Sequence, residues 1–211
     1  MRRISHVTPR YIVDRAITLV QEKMHPREPW IVRQASMALS TLLRPTDTGF
    51  EFGSGRSTAW FAGRIAHLTS VEDNPSWHRK IARDLEAAGV DNVTYIGVDR
   101  HEDPVKAADI YTAPIRDLED ESLDFVMIDG AHRGICTYYA LPKLRSGALL
   151  VIDNVERYLP SGSRAPGARY AADGPAADDN WPDVWNTIQH WRVIWMTSGV
   201  WDTAIFFKPC N

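Results

Sequence analysis

Glu51-Phe52-Gly53-Ser54-Gly55-Arg56-Ser57-Thr58 joins a short strand pattern to the start of a helix. The strand pattern is Gly49-Phe50-Glu51-Phe52, and the helical one runs on to about residue 66, with Ser57 or Thr58 placed to cap it. Glycines at 53 and 55 lack a Cβ, so the chain can turn tightly there and a ligand can approach the backbone closely. Alone, a Gly-x-Gly turn is an ordinary strand-to-helix connection. Its meaning comes from what surrounds it.

Downstream, strand and helix patterns alternate. Residues 68–72 read as a second strand. Asn74-Pro75 is a helix start, Trp77, Ile81, Leu85 and Ala88 form the apolar stripe, and Gly89 is placed to end it. Residues 93–98 make a third strand, and a short helix is predicted around 105–110. Residues 123–128 and 148–152 are buried strands flanking a helix over 134–144. A helix over 183–190 and two strands, 193–197 and 203–207, close the chain, with a link at 198–202 that predicts an antiparallel hairpin. Such alternation predicts a parallel sheet with right-handed crossovers.

Upstream, Thr8-Pro9 caps a first helix with Ile12, Ala16, Val20 and Met24 recurring. A second follows, with Ile31, Ala35, Ala38, Leu39 and Leu42 on one face. Residues 1–45 thus form a helical extension, either a lid or a dimer element, and residues 46–211 the main domain. Residues 155–182 break the rhythm. A loop of that length is usually functional, which makes it the expected substrate loop, with Arg157, Tyr158, Arg164, Arg169 and Tyr170 as contacts. Trp181, Trp185 and Trp191 are expected in the core or an interface.

Composition narrows the function classes. The 211 residues are 44% hydrophobic and 24% charged, which excludes disordered and fibrous chains. A net charge of -3, with no basic cluster, points away from nucleic acid. No apolar run suits a membrane span, and Met1 to Arg10 leads into no signal-type apolar segment. Cys136 and Cys210 stand in no metal spacing, so a reducing, cytoplasmic setting is expected.

Ligands of such sheets bind beyond the carboxyl ends of the strands. The second strand ends in Glu72-Asp73, about 20 residues after the glycine turn, where a carboxylate can accept from both hydroxyls of a ribose. The same acid could simply favour a helix N-terminus. The fourth and fifth strands end in Asp129-Gly130-Ala131-His132 and Asp153-Asn154. If those strands are neighbours, Asp129, Asp153 and Asn154 converge as oxygen donors suited to magnesium. Equally, Asp and Asn are common turn residues at strand ends.

Thr58 stands where the dinucleotide fingerprint has its third glycine. Glu-x-Gly-x-Gly followed by an acid at the second strand end instead resembles the class I S-adenosylmethionine-dependent methyltransferases, over about residues 48–209. The fold implied is α/β and Rossmann-like: a mostly parallel seven-stranded sheet with a C-terminal antiparallel hairpin and an N-terminal helical extension. The resemblance implies that Glu51, Gly53, Ser54, Gly55 and Ser57 surround the methionine part of S-adenosylmethionine. It implies Glu72 on the ribose, Asp73 near the adenosine, and Asp99 or Arg100 near the adenine. It also implies Asp129 beside the same cofactor. Asp129 with Asp153-Asn154 resembles the metal triad of catechol-type and macrocin-type O-methyltransferases. The catechol enzymes have a lysine three residues after the first aspartate, where this chain has His132. Imidazole can also accept a proton, so His132 and Asp129 are the candidate catalytic residues. His132 could equally be a solvent-facing residue at a helix start.

The expected activity is methyl transfer to a hydroxyl of a small molecule, such as a sugar, phenol or natural product, assisted by a divalent cation. Two other readings compete. Tyr139-x-x-x-Lys143 has the spacing of short-chain NAD-dependent oxidoreductases, but Pro142 interrupts the helix that would align the pair. A non-catalytic S-adenosylmethionine-binding protein is the other. A homo-oligomer through the N-terminal helices is a further expectation.

Overall fold

A computed structural model of the chain describes residues 8–210. The first seven residues of the helical extension, and of the stretch read for a leader, lie outside them. Helices α1 (Pro9–Met24) and α2 (Arg33–Leu42) come first. The main domain follows as β1 (Thr48–Phe52), α3 (Arg56–Ala62), β2 (His67–Glu72), α4 (Pro75–Ala87), β3 (Val93–Gly97), α5 (Pro104–Arg116), β4 (Leu123–Ile128), α6 (Arg133–Lys143), β5 (Leu144–Asp153), α7 (Trp181–Ile188), β6 (Arg192–Thr197) and β7 (Asp202–Phe207).

Local chemistry sets several of these boundaries. The Thr8 hydroxyl oxygen accepts from the Tyr11 N–H, ahead of Pro9. Asn74 caps α4 by accepting from the Ser76 and Trp77 N–H groups, and Asp103 caps α5 in the same way. Such caps satisfy N–H groups that a helix start leaves without partners. Helix α5 runs beyond the short helix predicted there, through Pro114 to Arg116. Proline costs one backbone bond, but Ala108, Tyr111, Thr112 and Ile115 bury a continuous face that holds the helix together.

The strands form one sheet in the order β3-β2-β1-β4-β5-β7-β6. The first five are parallel, and β7 runs antiparallel to both β5 and β6. Alternate residues of a strand face opposite sides. Val126 and Ile128 therefore pack with Phe52, Tyr111, Cys136 and Trp181, whereas Phe125 and Met127 pack with Leu39, Phe61 and Ile205. Trp181 is fully buried, and Trp185 and Trp191 pack against the same layer. Register aligns Phe52 with Ile128 and Ile128 with Ile152. The carboxyl ends of β1, β4 and β5 thus lie along one edge, and strand order reverses between β1 and β4.

The apolar repeat of α1 does not face the core. Ile12, Val20 and Met24 are 57%, 55% and 70% exposed. The buried residue of α1 is Thr18, and Arg15 lies over the Trp201 ring of the β6–β7 connection. This helix rests on the hairpin through its polar side. Helix α2 does bury its predicted face, at Ala35 and Leu39.

Residues 155–182 fold back on α6 and α7. Tyr158 stacks on Trp181 with ring centroids 4.7 Å apart. Arg169 donates from Nε to the Gly174 carbonyl at 2.8 Å. The Asp179 carboxylate accepts from the Gly134 and Ile135 N–H groups, at 2.6 and 3.2 Å. It therefore caps α6 from a distant part of the chain. Asp179→Ala is expected to cost about 1–2 kcal/mol, as for other lost helix caps. Urea denaturation would measure it, and an unchanged midpoint would mean that the segment stays seated without the cap.

Candidate active site

At the carboxyl end of β1 the chain turns at Gly53, whose φ is +88°. A Cβ there would lie 2.6 Å from the backbone of Gly130, at the end of β4. Only glycine permits this approach. The turn is also held from outside. Its Ser54 carbonyl accepts from the Trp77 indole at 2.7 Å, and the Ser54 hydroxyl bonds that of Tyr95, also at 2.7 Å. Trp77 stacks on Trp30, so the N-terminal extension touches the support of the turn. The predicted cap of α3 is shifted. Gly55 is the N-cap, and the Thr58 hydroxyl, inside the helix, accepts from its N–H at 3.0 Å.

Glu51 is fully buried behind this turn. Its Oε2 accepts from the hydroxyls of Thr58 and Ser70, both at 2.6 Å. Its Oε1 is buried with no hydrogen-bond partner among the described residues. Burial pushes this carboxyl up to about 7, against the hydroxyls of Ser57, Ser70 and Thr58, which pull it down. An orphaned carboxylate oxygen is costly unless a donor arrives.

Glu72 lies across the turn from β2. Its Oε2 accepts from the Ser54 N–H and hydroxyl, and its Oε1 from the Asn74 N–H. A carboxylate offers about four lone-pair positions. Room thus remains for a ribose hydroxyl, mainly at Oε1, but two equal contacts are not open in this geometry. Beyond it, Arg100 forms a two-point contact with Asp73. Asp73, Asp99, Arg100, Tyr111 and His132 line a cleft of about 300 Å³. His132 has a left-handed φ of 48°, and its ring faces Tyr111 at 6.2 Å between centroids.

The edge formed by β4 and β5 differs from expectation. Asp129, Asp153 and Asn154 do come from adjacent strand ends, but Arg133 bridges the first two. Its Nη2 donates to the Asp129 carboxylate and carbonyl, each at 2.9 Å. Its Nε donates to the Gly130 carbonyl at 3.0 Å, and its Nη1 to the Asp153 carbonyl. Asp153 is 2% exposed, and its Oδ1 accepts from the Thr203 hydroxyl at 2.5 Å. Burial pushes Asp129 up to about 6, with Arg133 opposing, and burial also holds Asp153 well above the ordinary carboxylate range. Among the described residues, no three His, Cys, Asp or Glu side chains group as metal ligands. With a guanidinium paired to one carboxylate and a hydroxyl bonded to the other, the donor set as placed does not fit magnesium.

Tyr139 and Lys143 do not enter this site. Lys143 donates to the Leu118 carbonyl and the Asp120 carboxylate, just before β5 begins, at the opposite edge of the sheet. Tyr139 lies under Arg116. Within the loop, Arg169 and Tyr158 are committed to holding the fold, whereas Arg164 and Tyr170 line a separate cleft of about 410 Å³ against α1. Sequence reasoning missed Arg133, Tyr95 and the indole of Trp77. None of the three had a signal in the spacing, because each depends on where a side chain is turned.

Comparisons place the fold among known proteins. A family model described as a methyltransferase domain matches residues 50–155. The fold is similar to a methyltransferase-like protein from Silicibacter pomeroyi, at 19% identity and a TM-score of 0.58, over 87% of this chain and 89% of that one. It is similar to a caffeoyl-CoA O-methyltransferase-like protein from Staphylococcus aureus, at 16% identity and a TM-score of 0.59, over 97% and 94%. A methyltransferase from Geobacter sulfurreducens aligns at 14% identity and a TM-score of 0.55, over 92% and 88%. No curated protein sequence matches the chain. No helix among the described residues is long and apolar enough to cross a membrane.

Proposed function

Because the chain belongs to the methyltransferase-domain family, with the class I S-adenosylmethionine-dependent fold, we propose that it methylates a hydroxyl oxygen of a small molecule, such as a sugar, phenol or natural product. The observation that carries the cofactor in this reading is the Glu51 Oε1, buried and unpartnered among the described residues behind a turn that only glycine can make. S-adenosylmethionine would supply an electrophilic methyl group on a sulfonium, and its ammonium is the kind of donor the Glu51 oxygen lacks.

The protein's own residues have defined parts in this proposal. Gly53, Ser54, Gly55 and Ser57 shape the methionine end of the cleft. Glu72 accepts from the ribose, and Asp73 and Asp99 border the adenine end. With S-adenosylmethionine held there, its methyl carbon would pass from sulfur to the acceptor oxygen, the carbon–sulfur electron pair going to sulfur. The hydroxyl proton passes to His132 or Asp129 at the rim. Orientation within the cleft supplies much of the rate.

Calorimetric titration with S-adenosylhomocysteine, with NADH as the control, tests the cofactor. The homocysteine product should bind and NADH should not. Glu72→Gln should weaken binding by about ten- to a hundredfold, the loss of a charge-assisted hydrogen bond. Binding of NADH alone would overturn the reading. Binding without turnover, across an acceptor screen of sugars and phenols, would favour a cofactor-binding protein over an enzyme.

A further inference from the structure

Arg133 is the first residue of α6 and follows a left-handed residue, His132. That backbone reversal turns the side chain back over the strand ends instead of out to solvent, and only 12% of it is exposed. The guanidinium then donates to three main-chain carbonyls, of Asp129, Gly130 and Asp153, and to the Asp129 carboxylate. An oxygen cage drawn from two strand ends is what a hard cation would take. Here the cage is closed around a fork of N–H donors that stays charged at every accessible pH.

We propose that Arg133 is the resident cation of this active site: its guanidinium fills the place between the ends of β4 and β5 that the catechol-type resemblance gives to a divalent ion. The proposal rests on the methyltransferase reading for its meaning, but not for its measurement. A divalent ion entering beside the guanidinium would meet a fixed positive charge at close range, where protein surroundings screen poorly. It would also compete for Asp129, whose Oδ1 is already paired. The Thr203 hydroxyl ties the Asp153 carboxylate on its other side and accepts from the Val32 N–H at the start of α2. The N-terminal extension therefore helps to hold the arrangement.

Mn2+ titration of the full chain, followed by electron paramagnetic resonance, tests the assignment without an acceptor. The wild-type protein should show no stoichiometric Mn2+ site up to about 1 mM, the weak limit of protein sites for hard cations. Arg133→Met vacates the cage and should bind one Mn2+ per chain, at least about tenfold tighter than wild type once the charge is gone. One Mn2+ per wild-type chain, abolished by Asp153→Asn, would overturn the proposal. So would silence from a folded Arg133→Met protein, because the guanidinium would then not be what excludes the ion. If that variant fails to fold, the wild-type titration still decides. Calorimetry of wild type with S-adenosylhomocysteine, in EDTA and then in Mg2+, keeps the two readings apart. Equal affinities are expected, whereas a protein that binds S-adenosylhomocysteine only with Mg2+ would refute the resident cation and leave the methyltransferase standing.

Discussion

Gly53→Ala is expected to unfold much of the protein's stability margin and to abolish binding of S-adenosylhomocysteine. Two penalties add. An alanine at a φ of +88° enters a region that L-residues avoid, at a cost of about 1–2 kcal/mol. Its methyl would also lie 2.6 Å from both the Cα and the N of Gly130, and relieving such overpacking costs typically about 1–3 kcal/mol. Backbone has to give way, because no flexible side chain is there to move. Gly130 itself has no slack, since a Cβ on it would meet the Tyr111 hydroxyl. The combined loss of about 2–5 kcal/mol is a large part of an ordinary domain's stability. Urea denaturation reads the first effect and calorimetry the second. Gly55→Ala is the internal comparison. Its nearest neighbour would be the Ser57 hydroxyl at 3.7 Å, and its φ is extended. A Gly53→Ala protein as stable as Gly55→Ala would mean that β1 and β4 separate freely, against the close approach described above.

That contrast shows what could be read in the chain. The placement of Gly53 and Glu72 was legible because it is set by position along a strand. A glycine ends β1, an acid ends β2, and a parallel sheet brings both to one edge. The same logic brought Asp129 and Asp153 together, since β4 and β5 are neighbours in register. Direction of side chains was not legible. Arg133 was invisible as a partner of Asp129 because its reach depends on the left-handed turn at His132, and nothing in the spacing announces that turn. Trp77 was read as part of a packing stripe, although its ring nitrogen holds the Ser54 carbonyl.

Helix α1 teaches the converse. Its apolar repeat has the period of a buried face, yet Ile12, Val20 and Met24 point to solvent while Thr18 is buried. Periodicity reports that a helix has two faces, and tertiary docking decides which one is covered. The contacts available at the β6–β7 connection are polar and aromatic, so the polar side of α1 fits them better. Helix α5 outruns the short helix predicted there for a related reason: the cost of Pro114 is local, while the buried face that outweighs it is not.

The second large effect is a fall in stability of the cofactor-free protein as pH rises, traced to Glu51. Its carboxyl lies at about 7 in the folded protein, against an ordinary 4.5, because burial disfavours the charged form. The folded state therefore binds this proton more tightly than the unfolded state does. The stabilisation is fully present below pH 4.5 and is lost as pH rises through 7. Between pH 5 and pH 8 the group should withdraw about 2–3 kcal/mol, from the linkage of proton binding to unfolding. Glu156, also raised to about 7 by burial, acts in the same direction. Glu51→Gln removes the titration and should flatten the profile, whatever it does to absolute stability. Cofactor binding should reverse the demand on this residue. An ammonium facing Oε1 favours the carboxylate, so S-adenosylhomocysteine should bind more tightly at pH 8 than at pH 6 and should release a proton below pH 7. Calorimetry in two buffers of different ionisation enthalpy measures that proton directly. A profile flat from pH 5 to 8, with no proton released, would mean that Glu51 is already ionised in the free protein and that its Oε1 is not waiting for a charged donor.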